Sequence, residues 1–553
     1  METLKQDLKL ADGQDLSVAL ISLITSAVRE DHAAYTLQQL SQSISHARCA
    51  AALEPLTLLP LLISCPYDGA DKLIHIMGQE SSAKEVVMAV QEVAEHLEYL
   101  SQADEQVEGV DHGLSPLKQI DRLVRLYAQC VPRLPRRNKL PSQVMKPLLS
   151  ELASLITQFG GSADDDGRAL VASVSESVLS IDKWVSSDSA YDVDERSRCG
   201  HILAHLLYST VEACVNSIQT NLARVAFANQ FPRLVVPNSA GVNVATGDDV
   251  VSKAWSALDA LGVTPSNLES RPSRVALVLL AHLPSYTLSL PLLTSFFPVI
   301  LTSVQANVAL DEVLYHLISS IGPLRLQYPR PDLPSDLIVP LAQLLPQLAG
   351  VHPDPSTRHQ TFRLLSTVLS LTPSPMRLHL LHELLTDSDL SPQMRVAAVG
   401  LVKEAVLEAL ATAPGSAESD RNVFVSPMFL RALGPLILRP HPPDLFASDD
   451  LSLDEFLETP EPLRLVECLA FLYVLLQRDT QNRTGIRDPD TLKRVNANLL
   501  LQLRGRLASW NEGMWSYIML AIHGDHAVMQ LGILDMWLDR ITSALESISN
   551  SGV

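Results

Sequence analysis

Pro355-Ser-Thr-Arg358-His-Gln-Thr361-Phe-Arg-Leu364-Leu and Pro392-Gln-Met-Arg395-Val-Ala-Ala398-Val-Gly-Leu401-Val are two copies of one pattern, offset by 37 residues. A looser copy starts at Pro272-Ser-Arg274-Val-Ala, its arginine 84 residues before Arg358. Proline opens each copy, where the missing N–H costs nothing because a first-turn N–H has no intrahelical acceptor. The arginine is expected to be exposed or paired. The small residue three places later (Thr361, Ala398) lets the next helix approach closely. A period of about 40 residues with this layout is that of HEAT repeats.

Outward from these copies, most of the chain reads at helical period. Leu16, Ala19, Leu20, Leu23 and Ile24 fall on one stripe, and further stripes run over 83–100, 117–127, 144–156 and 170–181. The breaks are short and carry Pro, Gly, Asp or Ser, so roughly twenty helices are expected and no alternating strand. Hydrophobic residues make up 47% of the chain but aromatics only 5%, a filling suited to helix packed on helix. Together these features predict an all-α, HEAT/armadillo-like helical repeat solenoid. An N-terminal repeat region is expected over 1–231 and a linker or long loop over 232–249. A C-terminal HEAT-like region is expected over 250–547, with an acidic loop at 440–462. Residues 413–422 read as a small-residue polar loop. The 440–462 stretch reads either as a short docking motif or as a loop helix folded onto the solenoid.

A net charge of −20 argues against wholesale binding of nucleic acid or anionic membrane, which needs a basic face. Cys49, Cys65, Cys130, Cys199, Cys214 and Cys468 form no CxxC pair, hence neither a disulfide framework nor a zinc cluster. The N-terminus lacks a signal-peptide pattern, and the most apolar stretch, 275–304, is interrupted by His282, Pro284, Pro291 and Pro298. A cytoplasmic protein, one that also enters the nucleus, fits these observations.

His201-Ile-Leu-Ala-His205 sets two imidazoles one turn apart, yet Ile202 stands where a metalloprotease needs its glutamate base. Asp164-Asp165-Asp166-Gly167 lacks the alternating ligands and closing Glu of a calcium loop and reads as a helix start. No phosphate loop, dinucleotide fingerprint or nucleophile elbow occurs. The expectation is no catalytic residue, no metal and no cofactor. Arg133, Arg136, Arg137 and Lys139 concentrate positive charge in one proline-bounded loop, a contact for an acidic partner or simply a solvated connection. Trp510, Trp515 and Trp537 crowd the C-terminal end, where either an interface or an array-closing core would use them.

One segment is more specific. Phe471-Leu-Tyr-Val-Leu-Leu-Gln-Arg478-Asp479-Thr-Gln-Asn482-Arg-Thr484-Gly485-Ile reads as a helix ending at Arg478-Asp479 and a turn using Asn482 and Gly485. A new helix follows, with Asp488 at its cap and Pro489 at its first position. This order, together with the Leu401-Val-Lys403-Glu404 step, resembles the glomulin family, including its fungal stress-factor-binding and plant lateral-root relatives. The resemblance is clear over roughly residues 270 to 510. It implies a HEAT-like solenoid whose C-terminal part binds a RING-box subunit, masks the surface where ubiquitin-conjugating enzymes dock and so restrains cullin–RING ligases. The family's RING contacts lie beyond the matched motif, so no partner-binding residue is transferred. The alternatives are an oxidative-stress adaptor that binds a transcription factor, and a generic HEAT scaffold. The first asks for an exposed low-pKa thiol, and only Cys65 and Cys130 sit at loop edges. In every reading the chain is a protein-binding monomer rather than an enzyme.

Overall fold

The computed structural model describes residues 15–551 except 31, 103–112, 136–138, 162–164, 188–190, 219, 235–246, 328–329, 413–421, 447–450 and 518–523. Among the described residues the regular structure is all helical, and no strand occurs. The expected linker at 232–249 falls largely on 235–246, outside the described residues, as does most of the 413–422 loop. The chain divides into two compact units. One holds residues 1–225 and 231–316, and the other holds 226–230 and 317–553.

In the first unit most helices pack on the helix two places along, and the packing sorts eleven of them into two layers. Leu16–Arg29, Pro55–Ile63, Ala83–Gln102, Pro141–Phe159, Val193–Ala213 and Arg274–Ala281 follow one another in one layer. Leu37–Ala47, Ala70–Glu80, Pro116–Cys130, Asp165–Ser187 and Gly247–Ala260 make the second. This is the nearest-neighbour stacking of a repeat solenoid. Between the layers lie Leu20, Ile24, Leu58, Leu59, Leu123, Leu155, Leu170 and Leu207, all fully or nearly fully buried. Gly69 permits one close approach. Its φ is +97°, and a Cβ there would lie 2.4 Å from the backbone N of Gln38.

Neighbouring helices are also joined by polar caps. Helix ends leave unpaired carbonyls and amides, and charged side chains of opposite sign satisfy them. Arg122 donates to the carbonyls of Leu62, Ile63 and Cys65 at 2.8–2.9 Å, closing the end of Pro55–Ile63, while its Nε meets Asp71 at 2.7 Å. Arg133 donates to the carbonyls of Gly78 and Ser81 at the end of the next helix, Ala70–Glu80. At the opposite kind of end, buried Glu195 accepts from the backbone N of Ser142 at 2.8 Å.

The second unit repeats the scheme. Ser335–Val351, Pro392–Ala411, Glu461–Arg478 and Gly524–Ser551 pack in succession, and Ser374–Thr386 packs on Pro427–Ile437. The two clear sequence repeats behave as read. Pro355 and Pro392 occupy first helical positions behind the N-caps Asp354 and Ser391, and Thr361 and Ala398 are fully buried. Arg358 caps the preceding helix, donating to the carbonyls of His352 (2.7 Å) and Pro353 (3.0 Å). The looser copy departs from the pattern, because Pro272 stands before the helix, with Ser273 at the N-cap and Arg274 at the first helical position.

Lys403 and Glu404, adjacent in sequence, reach in different directions. Lys403 meets Glu467 at 3.4 Å, whereas Glu404 accepts from Arg363 (3.2 Å) and Ser366 (2.7 Å). One helical turn on, Glu408 accepts from Arg377 at 2.9 Å and also pairs with Arg330. The Lys-acidic step thus ties its helix to one packed neighbour on each side.

Candidate partner-binding region of the C-terminal unit

The Arg478–Gly485 segment builds a rigid corner. The helix Glu461–Arg478 ends at Asp479, which is 1% exposed. Its carboxylate accepts from the backbone N of Arg483 and Thr484 at 2.8 Å and from Thr484 Oγ1 at 2.6 Å. Asn482 takes the left-handed conformation (φ 52°), and Gly485 follows with φ +78°. Asn482 Oδ1 accepts from the backbone N of Arg487 at 2.7 Å, and its Nδ2 donates to Asp488 Oδ1 at 2.7 Å. Asp488 does stand at the N-cap of Pro489–Val495, but its side chain makes no capping bond there. The expected cap is replaced because Asn482 already holds that carboxylate.

This corner is one wall of a groove of about 360 Å³. Thr484, Gly485, Asp488, Thr491 and Arg494 line it on one side, and Pro427, Leu430, Arg431, Gly434, Pro435 and Arg439 on the other. The second wall is pinned from beneath by Arg464, which donates to the carbonyls of Leu436 (2.9 Å) and Arg439 (2.7 Å). Beyond the groove, the last helix, Gly524–Ser551, exposes Met529, Asp535, Met536 and Asp539 along one side. Methionine on such a stripe adapts to varied partner shapes.

The other expected sites are placed as follows. His201 and His205 are both exposed on the helix Val193–Ala213, while Cys199 is buried away from them. Among the described residues no three His, Cys, Asp or Glu side chains are grouped to hold a metal. Asp165 and Asp166 lie in the first turn of their helix; Asp164 lies outside the described residues. Arg133 is consumed as a helix cap, and Arg136 and Arg137 lie outside the described residues. All six cysteines are buried, the loop-edge Cys65 and Cys130 included. Burial pushes the Cys130 thiol up to about 11 and the Cys199 thiol up to about 12.

The acidic stretch folds back onto its unit. Leu453–Glu458 is a short helix whose Phe456 is fully buried and stacks on Trp510 at 4.8 Å, with Phe446 5.9 Å away. Asp449 and Asp450 lie outside the described residues. Trp510 therefore closes core, whereas half-buried Trp537 packs on Tyr473 at 5.8 Å under the Arg540 guanidinium. The side chain of Trp515 lies outside the described residues.

Sequence reading missed two features. Neither Arg431 nor Arg439 stands out in a chain of 42 basic residues, and the groove's walls come from segments some fifty residues apart, with no local signal. The first unit also contains a buried polar cluster. His282 Nδ1 lies 3.1 Å from Asp248, its Nε2 lies 3.6 Å from Glu312, and fully buried His316 Nε2 lies 2.9 Å from Leu277 O. Burial raises the Glu312 carboxyl and lowers His316 to about 4.

Stacked helical layers and interhelical charge caps define a helical repeat protein. Residues 293–548 match the model of an uncharacterised protein family, YAP/Alf4/glomulin. The match takes in both clear repeats, the Arg478–Gly485 corner and nearly all of the last helix. Among curated proteins, none matches the chain. Among the described residues no helix is long and apolar enough to cross a membrane.

Proposed function

We propose that this chain restrains cullin–RING ubiquitin ligases by binding a RING-box subunit through its C-terminal unit. The observation that carries the reading is the family match over 293–548, which reaches the last helix. A RING-box subunit seated on that unit would occlude the docking surface for a ubiquitin-conjugating enzyme. The protein therefore acts by occupancy alone, as a monomer in the cytoplasm and nucleus, without cofactor or chemistry of its own. The exposed methionine-and-aspartate stripe of the last helix supports a role for this end. Its apolar centres supply burial, and its carboxylates suit a partner with basic zinc loops. The redox-adaptor alternative is disfavoured by the six buried thiols.

The test is a titration of the purified full-length chain against a neddylated cullin–RING-box complex, with ubiquitin-chain formation followed in parallel. Binding accompanied by loss of chain formation is expected. No binding at micromolar concentration sinks the proposal.

A further inference from the structure

The RING-box reading puts its contact at the last helix, Gly524–Ser551, and leaves unassigned the groove between Pro427–Ile437 and the Arg478–Gly485 corner. We propose that this groove docks an acidic peptide segment of a partner protein. Arg431 and Arg439 stand about two helical turns apart along one wall, and both are exposed. Neither guanidinium has a partner among the described residues. Other arginines of the unit do have partners, as Arg363, Arg377 and Arg464 are engaged by Glu404, Glu408 and Glu461.

Arg494 adds a third cation from the opposite wall, bonded only within its own helix, to Asp490 O (3.2 Å) and Thr491 Oγ1 (3.3 Å). Three guanidinium groups around one groove favour an occupant of opposite sign, and each fork can take a carboxylate bidentately. Asp488 is the only carboxylate of the lining, and Asn482 already holds one of its oxygens. Between the cations the lining also carries the apolar side chains of Pro427, Leu430, Pro435 and Val495, and the space is open. Pro427 and Pro435 are exposed, and a Cβ on Gly434 would find no atom nearer than 4.0 Å. An extended segment alternating carboxylates with aliphatic side chains satisfies both features. Nucleic acid is the poorer fit, because the whole chain carries a net charge of −20.

The experiment uses the full chain and a short fluorescein-labelled peptide of alternating glutamate and leucine, read by fluorescence anisotropy at low and at physiological salt. The same peptide with glutamine for glutamate, and a labelled single-stranded oligonucleotide, run beside it. Micromolar binding of the glutamate peptide alone is expected, weakened at least ~10-fold by Arg431→Glu with Arg439→Glu. Lys72→Glu with Lys146→Glu, an equal charge reversal at exposed sites of the other unit, should leave binding unchanged. No peptide binding, equal loss in that control, or preferential binding of the oligonucleotide overturns the proposal. Should the glutamate variant melt differently from the parent, Arg431→Gln with Arg439→Gln decides by the same criterion. RING-box binding is expected to survive these substitutions, so the two proposals fail separately.

Discussion

Arg464 grips Glu461 with two bonds of 2.6 Å, and both side chains are buried. The pair does more than neutralise itself. Glu461 Oε1 also accepts from the backbone N of His441 at 2.8 Å, and Arg464 also donates to the carbonyls of Leu436 and Arg439 and to Cys468 Sγ. Two segments of the second unit, residues 436–441 and the start of the helix Glu461–Arg478, therefore meet at one ion pair.

Removing one partner leaves a buried charge without compensation, which costs far more than a surface pair. Arg464→Ala is expected to destabilise the protein by about 3–5 kcal/mol, whereas the double replacement Arg464→Met with Glu461→Leu should recover most of it. Urea unfolding of the three proteins checks this. A double variant no better than the single one would show that the carbonyl caps, rather than the charge, set the cost.

The corner at Asp479 answers to a different term. Its carboxylate satisfies two amides and one hydroxyl in a site closed to water, so Asp479→Ala strands buried donors and should cost about 1–3 kcal/mol. Gly485→Ala should cost about 1–2 kcal/mol, because its φ of +78° is strained for any side chain. Its Cβ would also meet Asp488 Oδ2 at 3.0 Å. Thermal melts distinguish these from a surface change such as Asp490→Ala, expected to fall within about 0.5 kcal/mol.

Protonation offers a third measurement. Burial, reinforced by the charge of His282, lowers His316 to about 4, against about 6.5 in an unfolded chain, although its bond to Leu277 O works the other way. The unfolded state therefore binds the proton more tightly. The stability that neutral His316 contributes is complete above pH 6.5 and is lost as pH falls from there through 4. The change is about 3 kcal/mol at full extent. Glu312, raised by burial, has the opposite sign, since protonating it relieves a buried charge. His316→Gln keeps a donor toward Leu277 and should flatten the pH dependence of unfolding in this window. An unchanged slope would assign the effect elsewhere.

Thiol labelling makes a fourth. With all six cysteines buried and burial pushing Cys130 and Cys468 up to about 11, native protein should react with a disulfide reagent far more slowly than unfolded protein. Six thiols should appear on unfolding. One or more fast thiols in the native state would reopen the redox-adaptor reading.

Much of the fold was legible because its signals are local. Pro355 and Pro392 announce helix starts, Thr361 and Ala398 announce close packing, and the apolar stripes recur at helical period. The corner was legible too, since Asn482 and Gly485 are residues that tolerate positive φ. Asp488 was misassigned because an N-cap position does not reveal what else competes for its carboxylate. The arginines that line the groove or cap a helix were invisible for a related reason. Arg431, Arg122 and Arg464 are alike in sequence, and only the neighbour brought up by the fold makes one a cap, one an ion pair and one an unpaired cation.

The cap made by Arg122 has a consequence for biosynthesis. Leu62 and Ile63 end their helix 60 and 59 residues before the arginine that satisfies their carbonyls. At roughly 5–20 residues per second, a ribosome extends the chain for some 3–12 seconds before that arginine is made. The newest helix is thus always the unfinished one. A nascent array of this kind matures one step behind its own synthesis, with its raw edge travelling toward the C-terminus.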